Sequence, residues 1–221
     1  MAKSNIQMSE TPNRIHVMIG CGGHAKVVVD SIVRQGGIVD WIVDENPQAR
    51  SLLGIPILNP EDLEAKSLGL MFFIVAIGDN STRRMKYLSF VAAGHEPFTV
   101  IHPGSIVSER ADIGSGSLVG AGAVVNPAVE IGVNCIVNTS ASIDHDCQIG
   151  DHCHIGPGAR LPASVVVEDG VFIGAGATVL PGIEIGSNAT IGAGSVVTRN
   201  VANNSTVFGN PARVRTSTRP D

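Results

Sequence analysis

Residues 119–155, VGAGAVVNPAVEIGVNCIVNTSASIDHDCQIGDHCHI, repeat themselves every six positions. Val119, Val125, Ile131, Val137, Ile143, Ile149 and Ile155 are aliphatic, and the series runs without gap or insertion upstream to Ile101 and downstream to Val197. Four places after each aliphatic stands a small or compact residue, such as Ala123, Cys135, Ala141, Cys147 or Cys153, and the place directly after it is often Gly, Asn or Asp. A period of six suits neither a helix nor simple strand alternation. It suits a short strand and a tight corner, repeated. Three such units make a triangular coil of about eighteen residues, and stacked coils pair their strands in parallel around one aliphatic column. Gly and Asn at the corners supply permissive backbone angles. The period alone does not set the hand of the coil, so a right-handed solenoid stays open at this point.

The preceding hundred residues have a different rhythm. Residues 14–19 read as a strand, 20–23 as a Gly-rich loop, 24–34 as an amphipathic helix, and 38–43 as a second strand. Residues 60–65 read as a short helix with an Asn cap and Pro at its first position. Residues 71–77 are a third strand, 80–93 a helix, and 98–101 a strand leading into the first coil. The alternation predicts a small parallel α/β sheet, about half of a dinucleotide fold. Gly20, Gly22 and Ala25 fit the G-x-G-x-x-G/A fingerprint, with Asp44 about twenty residues on. No conventional dehydrogenase substrate domain follows, so the loop is read as an anion site at a helix N-terminus, able to hold a nucleotide diphosphate, with Asp44 facing a ribose or base. The expected organisation is a loose tail over residues 1–13, an α/β nucleotide-sugar-binding domain over 14–100 and a parallel β-helix over 101–221.

Bulk properties narrow the function. A formal charge of −5 gives no global basic surface for nucleic acid, and aromatics at 4 % leave a core of Val, Ile, Leu and Ala. No apolar run is long enough to span a membrane, and the first thirteen residues lack a signal peptide's hydrophobic stretch, which points to a soluble cytoplasmic protein. The four cysteines lack a C-x-x-C pair and read as small core residues.

Four stretches carry a resemblance: GCGGHAKVVVD (20–30), VDE (43–45), AIGDNSTR (76–83) and VNTSASIDHDCQIGDHCHIGPGA (137–159). Over residues 14–213 the chain resembles the NeuD/PglD family of bacterial sugar acetyltransferases, and the ending VFGNPAR (207–213) is common among hexapeptide acyltransferases. The resemblance implies a left-handed parallel β-helix, a homotrimer with sites between subunits, and acetyl-CoA as co-substrate. The acetyl acceptor it implies is the C4 amine of a UDP- or GDP-linked 4-amino-4,6-dideoxy sugar; O-acetylation of sialic acid is also known in the family. The product would enter bacterial surface glycan or lipopolysaccharide synthesis. Gly20, Gly22, Gly23, His24, Asp44, Glu45 and Gly78 would face the nucleotide-linked substrate.

Transfer of an acetyl group to an amine needs a base, an oxyanion site and alignment of two substrates. His145 is the best general base because imidazole titrates near neutral pH, and Asp146 is its matching orienter. The family keeps a His followed by an acidic residue here. His154 corresponds to a second family histidine near the acetyl carbonyl and should point out of the coil toward a cleft. Ala163 lies one coil beneath His145, Gly174 and Ala175 would line the pantetheine path, and Arg199, Arg213 or Arg215 would meet CoA phosphates. Cys135, Cys147 and Cys153 fall on inward positions, which argues for direct transfer over an acetyl-cysteine route. His152 reads as a surface residue. Three alternatives remain: a metal site built from His145, Asp146, His152 and His154, as in carbonic anhydrases of this fold; a non-catalytic nucleotide-sugar sensor; and a dehydrogenase.

Overall fold

The computed structural model describes residues 15–214. The tail expected at residues 1–13 and Arg215 lie outside the described residues. The N-terminal half contains β1 (Ile15–Ile19), α1 (Gly23–Arg34), β2 (Trp41–Val43), β3 (Ser51–Leu52), β4 (Ile55–Leu58), α2 (Pro60–Ala65), β5 (Met71–Val75), α3 (Asn80–Ala92) and β6 (Glu96–Pro97). The sheet order is β3-β4-β2-β1-β5-β6, parallel except for the β3–β4 hairpin. β5 is a continuous apolar run and β1 is apolar except for the buried His16, because helices cover them, as parallel sheets require. Asn59 caps α2 by accepting from the Asp62 N–H at 2.8 Å, and Asp79 caps α3 by accepting from the Thr82 N–H at 2.8 Å.

Several elements differ from the sequence reading: the strand expected over residues 98–101 is confined to Val100–Ile101, and β6 precedes it unanticipated. β2 begins at Trp41 rather than at residue 38. The β3–β4 hairpin was not anticipated: Leu53 and Gly54 both take positive φ, so a two-residue turn folds the chain back and adds β4 beside β2.

From Val100 the chain is a left-handed parallel β-helix. Its first face stacks Val100–Ile101, Leu118–Val119, Ile136–Val137, His154–Ile155, Phe172–Ile173, Thr190–Ile191 and Thr206–Phe208. The second face runs from Ile106–Val107 through Ser142–Ile143 to Val196–Val197, and the third from Asp112–Ile113 to Glu184–Ile185. The sixfold series fills the interior with Val119, Ile131, Ile143, Ile155, Leu161 and Ile173, and the compact series closes it with Ala123, Cys135, Cys147, Cys153 and Ala177. Arg213–Val214 turns back antiparallel on Thr206–Phe208 and ends the stack.

The corners carry two distinct requirements, not one. Through the middle coils the permissive angle sits three residues after the aliphatic, where Gly122, Ala128, Asn134, Ser140, Asp146, His152 and Gly158 have φ between +55° and +67°. The glycine directly after the aliphatic has an ordinary φ and a different constraint: a Cβ on Gly174 would lie 2.5 Å from the Ala193 nitrogen, on the backbone of the next coil.

The sheet domain docks on the first face. Val100, Leu118 and Ile136 point outward from the coils yet are buried against Ala25, Val28, Val29 and Ile32 of α1. Each such side chain contributes about 1.5–3 kcal/mol of burial, which holds the two halves together.

Candidate active site

The local sequence puts His145 and Asp146 on the edge between the second and third faces. Asp146 takes the positive-φ corner position (+60°), which turns its carboxylate back toward the preceding residue. His145 Nδ1 lies 2.7 Å from Asp146 Oδ2. A carboxylate only accepts, so Nδ1 carries a proton and, in the neutral ring, Nε2 is bare. Asp144 Oδ1 accepts from the His145 N–H at 2.9 Å and from Asn126 Nδ2 at 2.9 Å, which anchors the corner to the coil before it. The His145 pKa is raised, first by the hydrogen bond to Asp146 and further by the charges of Asp144 and Asp146. Both side chains are more than half exposed, at 55 % and 60 %. The couple points out of the prism.

Ala163 is in register beneath His145: the Ser164 N–H donates to the His145 carbonyl at 3.1 Å. Arg199, exposed, follows on the same edge two coils further along. Gly174 and Ala175 do not share this edge; they lie at the corner between the first and second faces. Arg213 belongs to the terminal hairpin, where its Nη1 donates to the Ala212 carbonyl at 2.8 Å.

His154 does project from the coil, but into the seam with the sheet domain, and it is only 8 % exposed. Its Nδ1 donates to the Gly78 carbonyl at 3.1 Å, and its Nε2 accepts from Asn138 Nδ2 at 3.1 Å. The Asn138 amide cannot be reversed without loss, because its Oδ1 accepts from the Thr139 N–H at 2.8 Å. Burial, with a smaller effect from Arg83 and His24, pushes the His154 pKa down to about 4, so the ring is neutral. His152 is not a surface residue. It is 6 % exposed, its Nδ1 pairs with Asn134 Nδ2 at 2.9 Å, and Tyr87 packs edge-on against its ring. A crevice of about 770 Å³ opens here, lined by Gly78, Asn80, Met85, His152, His154 and Phe172 among others.

The substrate loop meets the same seam. Gly20 has φ +100°, and a Cβ there would lie 2.7 Å from Ile77 Cγ1, so only glycine fits between β1 and the end of β5. Gly22 and Gly23 have open space around them, and Gly22 caps α1 without a side-chain hydrogen bond. The N-terminus of α1 thus has no side-chain cap and has open space beside it, the setting in which helix N-termini take anions. The His24 ring is 6.3 Å from that of His154, and its Nε2 is buried without a hydrogen-bond partner; burial and then Arg83 lower its pKa. Asp44 has a local task beside the one expected of it. Its two carboxylate oxygens accept from the Cys21 and Asn46 N–H groups, each at 2.9 Å, so its first task is to shape the loop. Glu45 pairs with Lys86. Gly20, Asp44, Glu45, Lys86 and Phe90 help to line a second cavity of about 620 Å³.

Comparison with known proteins gives the family. Residues 17–89 match the family described as the PglD N-terminal domain. Residues 128–163 and 164–199 match the bacterial transferase hexapeptide (six repeats), and residues 110–144 the hexapeptide repeat of succinyl-transferase. A histidine-to-asparagine variant of perosamine N-acetyltransferase from Caulobacter crescentus, in complex with CoA and GDP-perosamine, is 38 % identical with a TM-score of 0.88, over 92 % of this chain and 97 % of that one. The chain belongs to the PglD-type hexapeptide acetyltransferases. The acetyltransferase domain of PglB from Neisseria gonorrhoeae, in complex with acetyl coenzyme A, is 37 % identical with a TM-score of 0.85, over 92 % of this chain and all (100 %) of that one. WeeI from Acinetobacter baumannii is 28 % identical with a TM-score of 0.85. No curated protein sequence matches significantly.

Three residues central to this acetyltransferase's seam were missed by the sequence reading. Arg83 and Asn80 lie in the quoted stretch AIGDNSTR but drew no role, and Asn138 drew none. His145, Asp146, His152 and His154 do not converge on one point; among the described residues no group of three or more His, Cys, Asp or Glu side chains is disposed to hold a metal. Cys135, Cys147 and Cys153 are buried, and burial raises the Cys147 pKa. No helix among the described residues is long and apolar enough to cross a membrane.

Proposed function

We propose that the chain transfers the acetyl group of acetyl-CoA to the C4 amine of a nucleotide-linked 4-amino-4,6-dideoxy sugar, with a GDP-sugar favoured because the relative at 38 % identity is described with GDP-perosamine. The observation that carries this reading is the His145–Asp146 couple: its geometry leaves Nε2 as an unencumbered base on the outer edge of a hexapeptide acetyltransferase. His145 Nε2 accepts a proton from the amine as the nitrogen attacks the thioester carbon. The Asp146 carboxylate holds the imidazolium that forms. The tetrahedral oxyanion collapses with loss of the CoA thiolate, which takes the proton held on His145 and so returns the base to its neutral form. No cysteine enters, since buried thiols with raised pKa are poor nucleophiles.

Acetyl-CoA runs along the edge from His145 past Ala163 toward Arg199, a span of roughly 14 Å at about 4.8 Å per coil. The nucleotide sits against the β1–α1 loop, with Gly20, Gly22, Gly23, His24 and Gly78 around its phosphates and sugar. Asp44 and Glu45 border the cavity for its base. His145 is on a different edge from the crevice that holds His154, so one chain supplies only part of the site. A neighbouring copy in a trimer supplies the rest, and Gly174, Ala175 and Arg213 belong to the second wall of that groove.

Release of CoA thiol from acetyl-CoA, measured with GDP-perosamine, UDP-linked 4-amino sugars and sialic acid, tests the assignment. Turnover with a nucleotide-linked amine and not with sialic acid is expected. His145→Ala should lower kcat by roughly 10²–10⁴, as for loss of a general base. A sensor that binds without turnover would show no thiol release in the wild type.

A further inference from the structure

Arg83 is the largest fully buried side chain among the described residues, at 1 % exposure, and no carboxylate touches it. Its guanidinium is held by carbonyls from both halves of the chain. Nε donates to Asn134 at 3.0 Å, and Nη2 donates to His152 at 2.8 Å and Cys153 at 3.1 Å, all on the coils. Nη1 donates to Ile77 and Gly78, each at 3.2 Å, on the loop after β5, and Nη2 also reaches Asn80 Oδ1 at 2.8 Å. Asn80 adds bonds to the Gly170 and Val171 carbonyls, at 2.9 and 3.0 Å. An unneutralised buried charge is costly and persists only where its hydrogen bonds are complete.

The Gly78 carbonyl is the junction. It accepts from Arg83 and, on its other side, from His154 Nδ1. We propose that Arg83 is a positioning residue: by locking the Gly78 carbonyl against the coils, it holds His154 in one tautomer, with the proton on Nδ1 and the acceptor nitrogen toward Asn138. The inference rests on the proposed function in taking His154 to border the acetyl-transfer site. Arg83 from α3 and His24 from α1 are the charged or titratable groups that act on His154; Gly78, Asn138 and Phe172 complete its contacts. The cation also opposes protonation of the ring, in the same sense as its burial.

Arg83→Lys and Arg83→Met separate fork geometry from charge. A lysine keeps the charge but cannot span carbonyls on both halves. Both variants should lower kcat by roughly 10- to 100-fold with GDP-perosamine and acetyl-CoA, as expected for a displaced reacting geometry. Only Arg83→Met should add a second ionisation to the acid limb of the kcat profile, because His154 then charges at a higher pH than in the wild type. Folded variants that keep the wild-type kcat and profile overturn the proposal. An independent arm needs no Arg83 variant to fold: ¹⁵N NMR of the wild-type imidazoles, with His154 assigned by difference from His154→Gln, should show Nδ1–H and no titration between about pH 6 and 8. An Nε2–H tautomer, or a midpoint within that window, overturns the proposal whatever the kinetics. Nδ1–H in a wild type that acetylates no amino sugar sustains the positioning and overturns the functional reading alone.

Discussion

At the residue scale, the imidazole of His145 is set apart from the other histidines by its partner and its exposure. His24, His152 and His154 have lowered pKa values because burial disfavours their charged forms. His145 is raised because a carboxylate 2.7 Å away favours the imidazolium. The sign follows directly. A base with a raised pKa is protonated, and idle, below that pKa, so wild-type activity should fall on the acid side at a pH above the ordinary histidine value. Asp146→Asn removes the charge but keeps a residue type that tolerates the positive φ of this corner. Its acid limb should move to lower pH while the plateau rate drops, as read from kcat/KM against pH. The residue scale is also where reading the sequence succeeded and failed most visibly. The His145–Asp146 hydrogen bond was legible, because it depends on adjacency in the chain. Arg83 was not: Arg83 and Arg84 are identical neighbours, and only the packing of α3 on the coils buries the first and leaves the second at the crevice. His152 failed for the same reason, since its corner is covered by Tyr87 from a helix sixty-odd residues earlier.

Among the elements, the coil was the most legible part of the molecule. Its strands pair with partners eighteen residues away, so a local period carries a long-range contact: Ser142 pairs with Arg160, and His154 with Phe172. The corner glycines were legible in kind and not in cause. Gly174 illustrates the difference. Its neighbours in sequence suggest a flexible turn, whereas its role is to let the next coil approach within a distance that a Cβ would occupy. Gly174→Ala should therefore destabilise the fold by about 1–3 kcal/mol in urea titration, an overpacking cost. An unchanged midpoint with a raised KM for acetyl-CoA would instead mark it as a cofactor contact alone. The β3–β4 hairpin escaped the sequence reading because its turn is Leu53–Gly54, not the Asn-Gly or Asp-Gly pair that announces such turns, and Pro56 lies within β4.

For the whole molecule, the sheet domain and the prism are one construction. α1 seals the outward apolar positions of the first face, and Arg83 and Asn80 fasten α3 to the adjoining edge. That docking leaves His145 on an edge the sheet domain of the same chain does not reach. Subunit mixing tests the consequence. His145→Ala and His154→Gln chains, each inactive alone, should regain activity when unfolded together and refolded as mixed assemblies, because some grooves then join an intact His145 to an intact His154. Failure to complement, with mixed assemblies demonstrated by mass, would place the whole site within one chain.

The sequence by itself determined the prism, its aliphatic column, and the His145–Asp146 pair on its outside. Those features follow from periodicity and adjacency, which the chain carries locally. The tertiary structure alone decided that His154 is a neutral ring tied to Gly78, that Asp44 serves its own loop, and that Arg83 lies dry between two halves. Each of those outcomes depends on which surface covers a residue, and burial and hydrogen-bond partners from distant segments are set only when the sheet domain closes on the coils.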